Sequence, residues 1–446
     1  MKKYILIILC CLTSFPLWSY NVNMIVEHYS VDQGLPNNTV NCTLKDRDGF
    51  IWFGTWYGLC CFDGVKFKTF NKQEHDSDVP PRKIQRIVED KNGYIWVKTI
   101  DRKLYVFNKV TECFHAVYDD MKNYSENIQV IKLQNTAEGD VLLLTKDKNL
   151  LLAGVDEKGQ VTIKILFDSR NEINKHDYTL KHHVLCETEE YISWIGTDYK
   201  VAAVHKGSEL ASRPADFITS KINSGDKDSF TSFFEDGRKV WVGDRAGIFY
   251  SIDVRTGLVN RYVLSEIKGA ISNLLVTPAG YVYLSVAGQG TYEYDLAERR
   301  LQKINTEMND AMVTHAFIDQ YDKIWFHENE KALIYYDPLN HTAKRFPFTM
   351  FGKITTLYSE DAGERGLFFL SPAGEAWLFD REHAEMVYIN KLKQLSNDRA
   401  NQQFYHLMLD NDGVLWLSSA DEGVYCMNFP KKQFNLLSLS PQSVGQ

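Results

Sequence analysis

Three short acidic turns offer the most chemistry at first sight: Asp46-Arg47-Asp48-Gly49, Asp90-Lys91-Asn92-Gly93 and Asp410-Asn411-Asp412-Gly413. Carboxylates at alternate positions suggest a calcium loop. Such a loop needs further oxygen ligands and a closing bidentate carboxylate, and none follows in any of the three. Asp bonding its own backbone and Gly accepting positive φ make these turn chemistry instead. The densest histidine group is His182-His183 with His176 nearby; a metal site there would need a third ligand within geometric reach, which spacing does not define. The 58 acidic residues include no pair whose spacing singles it out for glycosidic bond cleavage. No G-x-S-x-G, Walker or Gly-rich dinucleotide segment is present. No cofactor and no metal are therefore expected.

The aromatic residues point elsewhere. Trp56 and Tyr57 follow Gly54-Thr55 in a turn, and Tyr199 stands at a comparable turn. Flat rings on loops of a rigid scaffold stack on sugar faces, so these three are the candidate ligand-binding residues. The competing reading packs them against a neighbouring structural unit. Trp377 falls within a strand pattern and reads as core.

What positions these turns is a repeat. LKDRDGFIWFGTWYGLCCFDG, from Leu44, returns as VEDKNGYIWVKTIDRKLYVFN from Val88, FFEDGRKVWVGDRAGIFYSID from Phe233, IDQYDKIWFHENEKALIYYD from Ile318 and LDNDGVLWLSSADEGVYCMN from Leu409. Its anchor is an aromatic after an Asp/Gly turn: Trp52, Trp96, Trp194, Trp241, Trp325 and Trp416, with Leu142, Tyr283 and Phe368 in weaker copies. Successive anchors lie 44, 46, 52, 47, 42, 42, 43 and 48 residues apart. Strand-like units at such a period mean a propeller or stacked array. In the first copy, Val40–Leu44, Phe50–Phe53, Leu59–Phe62 and Phe67–Phe70 alternate or cluster as four short strands separated by Gly and Asp-Gly turns. One such sheet cannot bury both faces, whereas a ring of them can, with indoles filling the wedges. The fold class expected is all-β, a propeller of four-stranded antiparallel blades.

Nine units exceed the usual four to eight blades. The expected organisation is a signal peptide over 1–20, a first propeller of about seven blades over 21–350, and the opening blades of a second over 351–446. A false match at the third or eighth unit would allow one eight-bladed ring. Ile25–Val31 reads as an outer strand latching a blade built from elsewhere in the chain, and Phe434–Leu439 as a fourth strand of the last unit.

The chain has 446 residues, 13% of them aromatic, and a net charge of −8, with no basic run suited to nucleic acid. Lys2 and Lys3 precede an apolar stretch from Tyr4 to Leu17, shorter than a bilayer span, so export to the periplasm is expected, with an uncleaved anchor as the alternative. Trp18 belongs to that signal. Six cysteines lie beyond it, without C-x-x-C spacing, and read as small packing residues, with one exported disulfide left open. The polar stretches 168–183 and 208–227, flanking the fourth unit, read as enlarged loops.

The segment Asp32–Phe70 resembles the two-component-regulator propeller repeat. The matching residues are Gly34, Leu35, Pro36, Asn38, Asp46, Gly49, Ile51, Trp52, Gly54, Thr55, Gly58, Leu59, Asp63 and Gly64. The likeness extends along the chain, strongest in units one, two, four, five and nine and faint in three and eight. That family typifies the exported sensor half of hybrid two-component systems in Bacteroidetes. Two seven-bladed propellers there precede an immunoglobulin-like domain, a membrane helix, a histidine kinase and often a DNA-binding regulator. The resemblance implies an extracytoplasmic sensor module that recognises glycan-derived oligosaccharides, here without kinase or regulator domains and so without phosphotransfer. It implies no nucleic-acid partner, membrane contact only through missing segments or an uncleaved signal, and room for a homodimer. The alternative is an exported propeller hydrolase or lyase acting on polysaccharide.

Overall fold

A computed structural model describes residues 25–70, 72–73, 80–122, 124, 129–170, 180–196, 201–207, 215–216, 230–304, 313–328, 331–351, 358–361, 366–371, 374–391 and 404–428. The signal segment, Trp18, Tyr199, His176, Phe434–Leu439 and most of the two enlarged loops lie outside these residues, as do the side chains of His182 and His183.

The described strands form nine antiparallel sheets, one for each repeat. Strand β1 (Ile25–Tyr29) precedes the first blade, which comprises β2 (Val40–Lys45), β3 (Ile51–Thr55), β4 (Gly58–Phe62) and β5 (Phe67–Phe70) in that spatial order. The strands run alternately up and down. The turns 46–50 and 63–66 therefore lie on one rim, here called the upper. The turn 56–57 and the links between blades lie on the lower rim. A short strand, Lys72–Gln73, adds in parallel to the outer edge of the second blade.

The repeat anchors do what an indole's flat bulk suggests. Trp96, Trp194 and Trp325 are fully buried, and Trp52, Trp241, Trp416, Tyr283, Phe368 and Leu142 are nearly so. Trp52 meets Phe107 of the second blade edge-on at 5.6 Å, and Trp325 of the seventh meets Phe379 of the eighth at 4.7 Å and 88°. Trp377 is buried in that same interface.

The ring count differs from the expectation of about seven blades followed by a second ring. The seventh blade packs on the eighth through Trp325, Phe369 and Phe379, as any neighbours in the ring do. The ninth blade packs on the first, where Trp416 lies 5.8 Å from Phe53 and 6.0 Å from Phe62. Strand β1 pairs with Val424–Asn428 along its whole length and supplies the ninth blade's outer strand. The latch expected from Ile25–Val31 is thus present, on a nine-bladed ring. It occupies the position beside 424–428 that the pattern assigned to Phe434–Leu439. A usual blade number guided the sequence reading; closure here is set by which edges are left to pair.

Eight of the nine inner strands carry a register shift near their start, as between Val40 and Cys42, Ile84 and Arg86, and Ile271 and Asn273. A bulge leaves backbone groups outside the ladder. The preceding blade reaches across to satisfy them. Asn41 Nδ2 donates to the carbonyl of Ile84 at 2.5 Å, Thr231 Oγ1 to that of Ile271 at 2.7 Å, and Asn273 Nδ2 to that of Val313 at 2.7 Å.

Candidate functional site

The Asp/Gly turns are built around an indole. Asp46 Oδ1 accepts the backbone N–H groups of Asp48 and Phe50, at 3.0 and 2.9 Å. Its Oδ2 accepts Trp52 Nε1–H at 2.7 Å. Asp90 holds Trp96, Asp236 holds Trp241, Asp319 holds Trp325 and Asp410 holds Trp416 in the same manner, at 2.7–3.2 Å. A buried indole N–H without an acceptor would be costly, so the turn carboxylate and the wedge form one unit. Where the anchor is Leu142 or Tyr283, the turn residue is Thr136 or Thr277, which caps a backbone N–H and has no indole to serve. Thr188 with Trp194 departs from this pairing. The Tyr283 hydroxyl instead donates to the buried Glu293 at 3.0 Å, which also accepts from Tyr336 of the next blade at 3.0 Å. His341 stands 3.1 Å from that second phenol. Both phenols are almost fully buried, and burial followed by the Glu293 charge raises them well above ordinary tyrosine, so they act as donors. The cluster joins the sixth and seventh blades.

On the upper rim, carboxylate oxygens of Asp46, Asp48 and Glu89 lie within 4.8 Å of one another. An ammonium sits among them. Lys109 Nζ is 3.1 Å from Asp46, 2.6 Å from Asp48 and 2.8 Å from Glu89. Burial pulls this lysine's pKa down, but its three carboxylate partners outweigh that and hold it above the ordinary range. Arg47 reaches from the first blade to Glu89 at 3.2 Å. The group clamps blades one and two together, and its position for a cation is taken by Lys109. Beside it opens a cleft of about 830 Å³ lined by Phe50, Trp52, Lys68, Phe70, Tyr94 and Thr111 among others. Its charged groups are largely spent on one another, as in the pair between Lys68 and Glu112 at 2.5 Å.

On the lower rim lie Trp56 and Tyr57, 44% and 63% exposed in a molecule whose other tryptophans are buried wherever described. Their backbone is fixed: Trp56 N–H donates to Thr39 and Trp56 C=O accepts from Lys83 N–H, at 3.2 and 3.0 Å. The next blade continues the chain, Ile100 N–H donating to Lys83 C=O at 2.9 Å. Lys83 Nζ lies 5.3 Å from the Trp56 ring centre and the Arg82 guanidinium 5.7 Å from that of Tyr57, within reach of cation–π attraction. Two rings and two cations thus form one platform at the link between blades one and two. Sequence reading found the rings and missed the cations, which arrive from a link about 26 residues further along.

The described cysteines are all free thiols, four buried and two partly so. Burial pushes Cys42, Cys60, Cys61 and Cys426 up to about 12, which keeps them protonated and unreactive. No helix among the described residues is long and apolar enough to cross a membrane.

Residues 34–57 match the family described as two component regulator propeller. Similar solved structures include two extracellular domains of hybrid two component systems from B. thetaiotaomicron. Both are 14% identical with a TM-score of 0.35, covering 89% and 90% of this chain and 58% and 65% of those chains. A streptogramin B lyase is 10% identical with a TM-score of 0.38, covering 92% of this chain and 98% of that one. The chain thus spans about three fifths of the length of the signalling domains it resembles. No curated protein matches it.

Proposed function

We propose that this chain is the extracytoplasmic ligand-binding module of a two-component signalling system and that it takes an oligosaccharide on the lower rim. The observation that carries this reading is the exposure of Trp56 and Tyr57 at the end of the segment that matches the propeller repeat family. Rings held open to solvent on a backbone-locked turn cost hydrophobic burial and serve recognition. The resemblance of Asp32–Phe70 to sensor repeats, an N-terminus with the pattern of an export signal and the family's taste for glycan fragments support the same reading. Signal output follows by population shift, the ligand favouring one packing of the module against downstream segments or a second copy.

The test is calorimetric titration of the purified chain with a panel of oligosaccharides, alongside Trp56→Ala and Tyr57→Ala. Binding lost in both variants, with melting temperature kept, supports the proposal. Wild-type chain that binds none of the panel refutes it. Formation of shorter sugars or unsaturated ends during the titration would favour the hydrolase or lyase reading instead.

A further inference from the structure

The cations of blades one and two are distributed unevenly between the two rims. On the upper rim, Lys45, Arg47, Lys68, Lys91 and Lys109 each contact a carboxylate. On the lower rim and the adjoining inner strand, Lys103 contacts Asp101 at 3.4 Å, whereas Arg82, Lys83, Arg86 and Arg102 have no carboxylate partner among the described residues. Arg82 and Lys83 lean instead over the rings of Tyr57 and Trp56. Arg102 lies close enough to the buried Lys98 to help burial lower it to about 8, and Arg86 acts on His406 in the same sense. Among the described residues Lys98 donates to Gln85 Oε1 and the carbonyl of Ile131, each at 2.7 Å. Two cations therefore stand at the ring platform without a carboxylate partner among the described residues, in a chain whose net charge is −8. Cations held over rings rather than against carboxylates keep their charge available to an anion. Salt bridges elsewhere in the same two blades show that carboxylates were available to neutralise them.

We infer that the lower-rim platform selects an anionic sugar: a uronate- or sulfate-bearing oligosaccharide whose ring stacks on Trp56 and Tyr57 while Arg82 and Lys83 bind its charged group. The inference rests on the proposed oligosaccharide site and specifies its ligand class. The guanidinium of Arg82 presents paired N–H donors that match a carboxylate or a sulfate equally well. The rings supply the sugar contact, and the two cations lean over them rather than joining the upper-rim clamp.

Calorimetric titrations with an oligogalacturonate, a sulfated galactose oligomer and the neutral galactose oligomer of equal length test this. At low salt a charged oligomer is expected to bind about tenfold tighter than the neutral one, the gain two part-exposed charge contacts supply. That advantage should fade as salt rises to about 0.3 M. Which of the two charged probes leads identifies the anion. The double variant Arg82→Ala/Lys83→Ala should lose the advantage, so that charged and neutral oligomers bind alike, whereas Trp56→Ala weakens all three. Equal affinity for charged and neutral sugars, or an advantage that survives the double variant, overturns the inference and leaves the sugar site standing. Failure of every sugar to bind overturns both. Displacement of the sugar by a polyglutamate of the same charge with equal affinity would mean that charge alone is read, and would also refute it.

Discussion

The pairing of turn carboxylate and buried indole makes a quantitative prediction at Asp90 and Trp96. Asp90 is buried; its Oδ1 accepts from Asn92 and Tyr94 N–H at 2.9 and 3.0 Å, and its Oδ2 from Trp96 Nε1–H at 2.9 Å. Asp90→Thr copies the third blade, where Thr136 keeps one backbone bond. It leaves the Trp96 indole N–H buried and unpaired, a penalty of about 1–3 kcal/mol, and weakens the charged cap by about 1 kcal/mol more. Trp96→Leu copies Leu142. It empties ring volume at a cost of about 3 kcal/mol and strands one carboxylate oxygen at about 1–3 kcal/mol. The double variant carries the volume loss and the weaker cap but neither stranded partner. It should therefore be about 2–6 kcal/mol more stable than the sum of the single losses implies. Equilibrium urea unfolding followed by fluorescence and far-ultraviolet circular dichroism measures the cycle, with coincident transitions required for the free energies to be meaningful. Asp90 combined with Trp241, three blades away, is the control and should be additive within about 0.5 kcal/mol. Additivity of Asp90 and Trp96 within the same margin would mean that the turn and the wedge act separately, and the account of the motif fails.

Other perturbations test other joints. A methyl on Gly54 would stand 2.6 Å from Cγ2 of Ile84 and nearer still to Sγ of Cys42, so Gly54→Ala should cost about 1–3 kcal/mol by urea titration; an unchanged midpoint would contradict the close approach of the blades. Lys109→Met leaves Asp46 and Asp48 without their ammonium and Glu89 with Arg47 alone, and should lower stability at pH 7 by about 3 kcal/mol by urea titration; an unchanged midpoint would deny the clamp. Burial, with Arg86, lowers His406 to about 4, whereas an unfolded histidine takes its proton near 6.5. Between those values the unfolded chain binds the extra proton, so stability falls as pH drops through that window, and His406→Gln should flatten this acid limb. Deleting residues 25–29 should bare the edge of Val424–Asn428 and lower the melting temperature with a tendency to associate; a deletion variant as stable and monomeric as the parent would mean that the strand is ornamental.

Much of the architecture is legible from spacing alone. The anchors at Trp52, Trp96 and their successors, each after an Asp/Gly turn and each followed by two more short strands, specify blades because strand sterics and turn chemistry are local. An Asp five or six residues before the Trp was also present in the letters, and its replacement by Thr136 and Thr277 beside Leu142 and Tyr283, with Thr188 beside Trp194 as the exception, points to a bond rather than a turn habit. It went unread because an Asp at a turn already has a sufficient local reason. Ring size was not legible, since closure depends on edges separated by the whole chain. Neither was the charge around the lower-rim platform: Trp56 and Tyr57 stand out as aromatics beyond the repeat slots, but Arg82 and Lys83 come beside them only once a link folds back over the preceding turn.

The ninth sheet joins residues 25–29 to residues 424–428, about four hundred positions apart along the chain. Loop-closure entropy for that contact is spent before its ladder bonds return anything. During synthesis the leading strand must wait, unpaired and with a bare edge, until the last sheet has left the ribosome. Whatever shields Ile25–Tyr29 in that interval governs the yield of closed molecules, and pulling on the two strands from opposite sides would unzip the circle at this seam before disturbing any other.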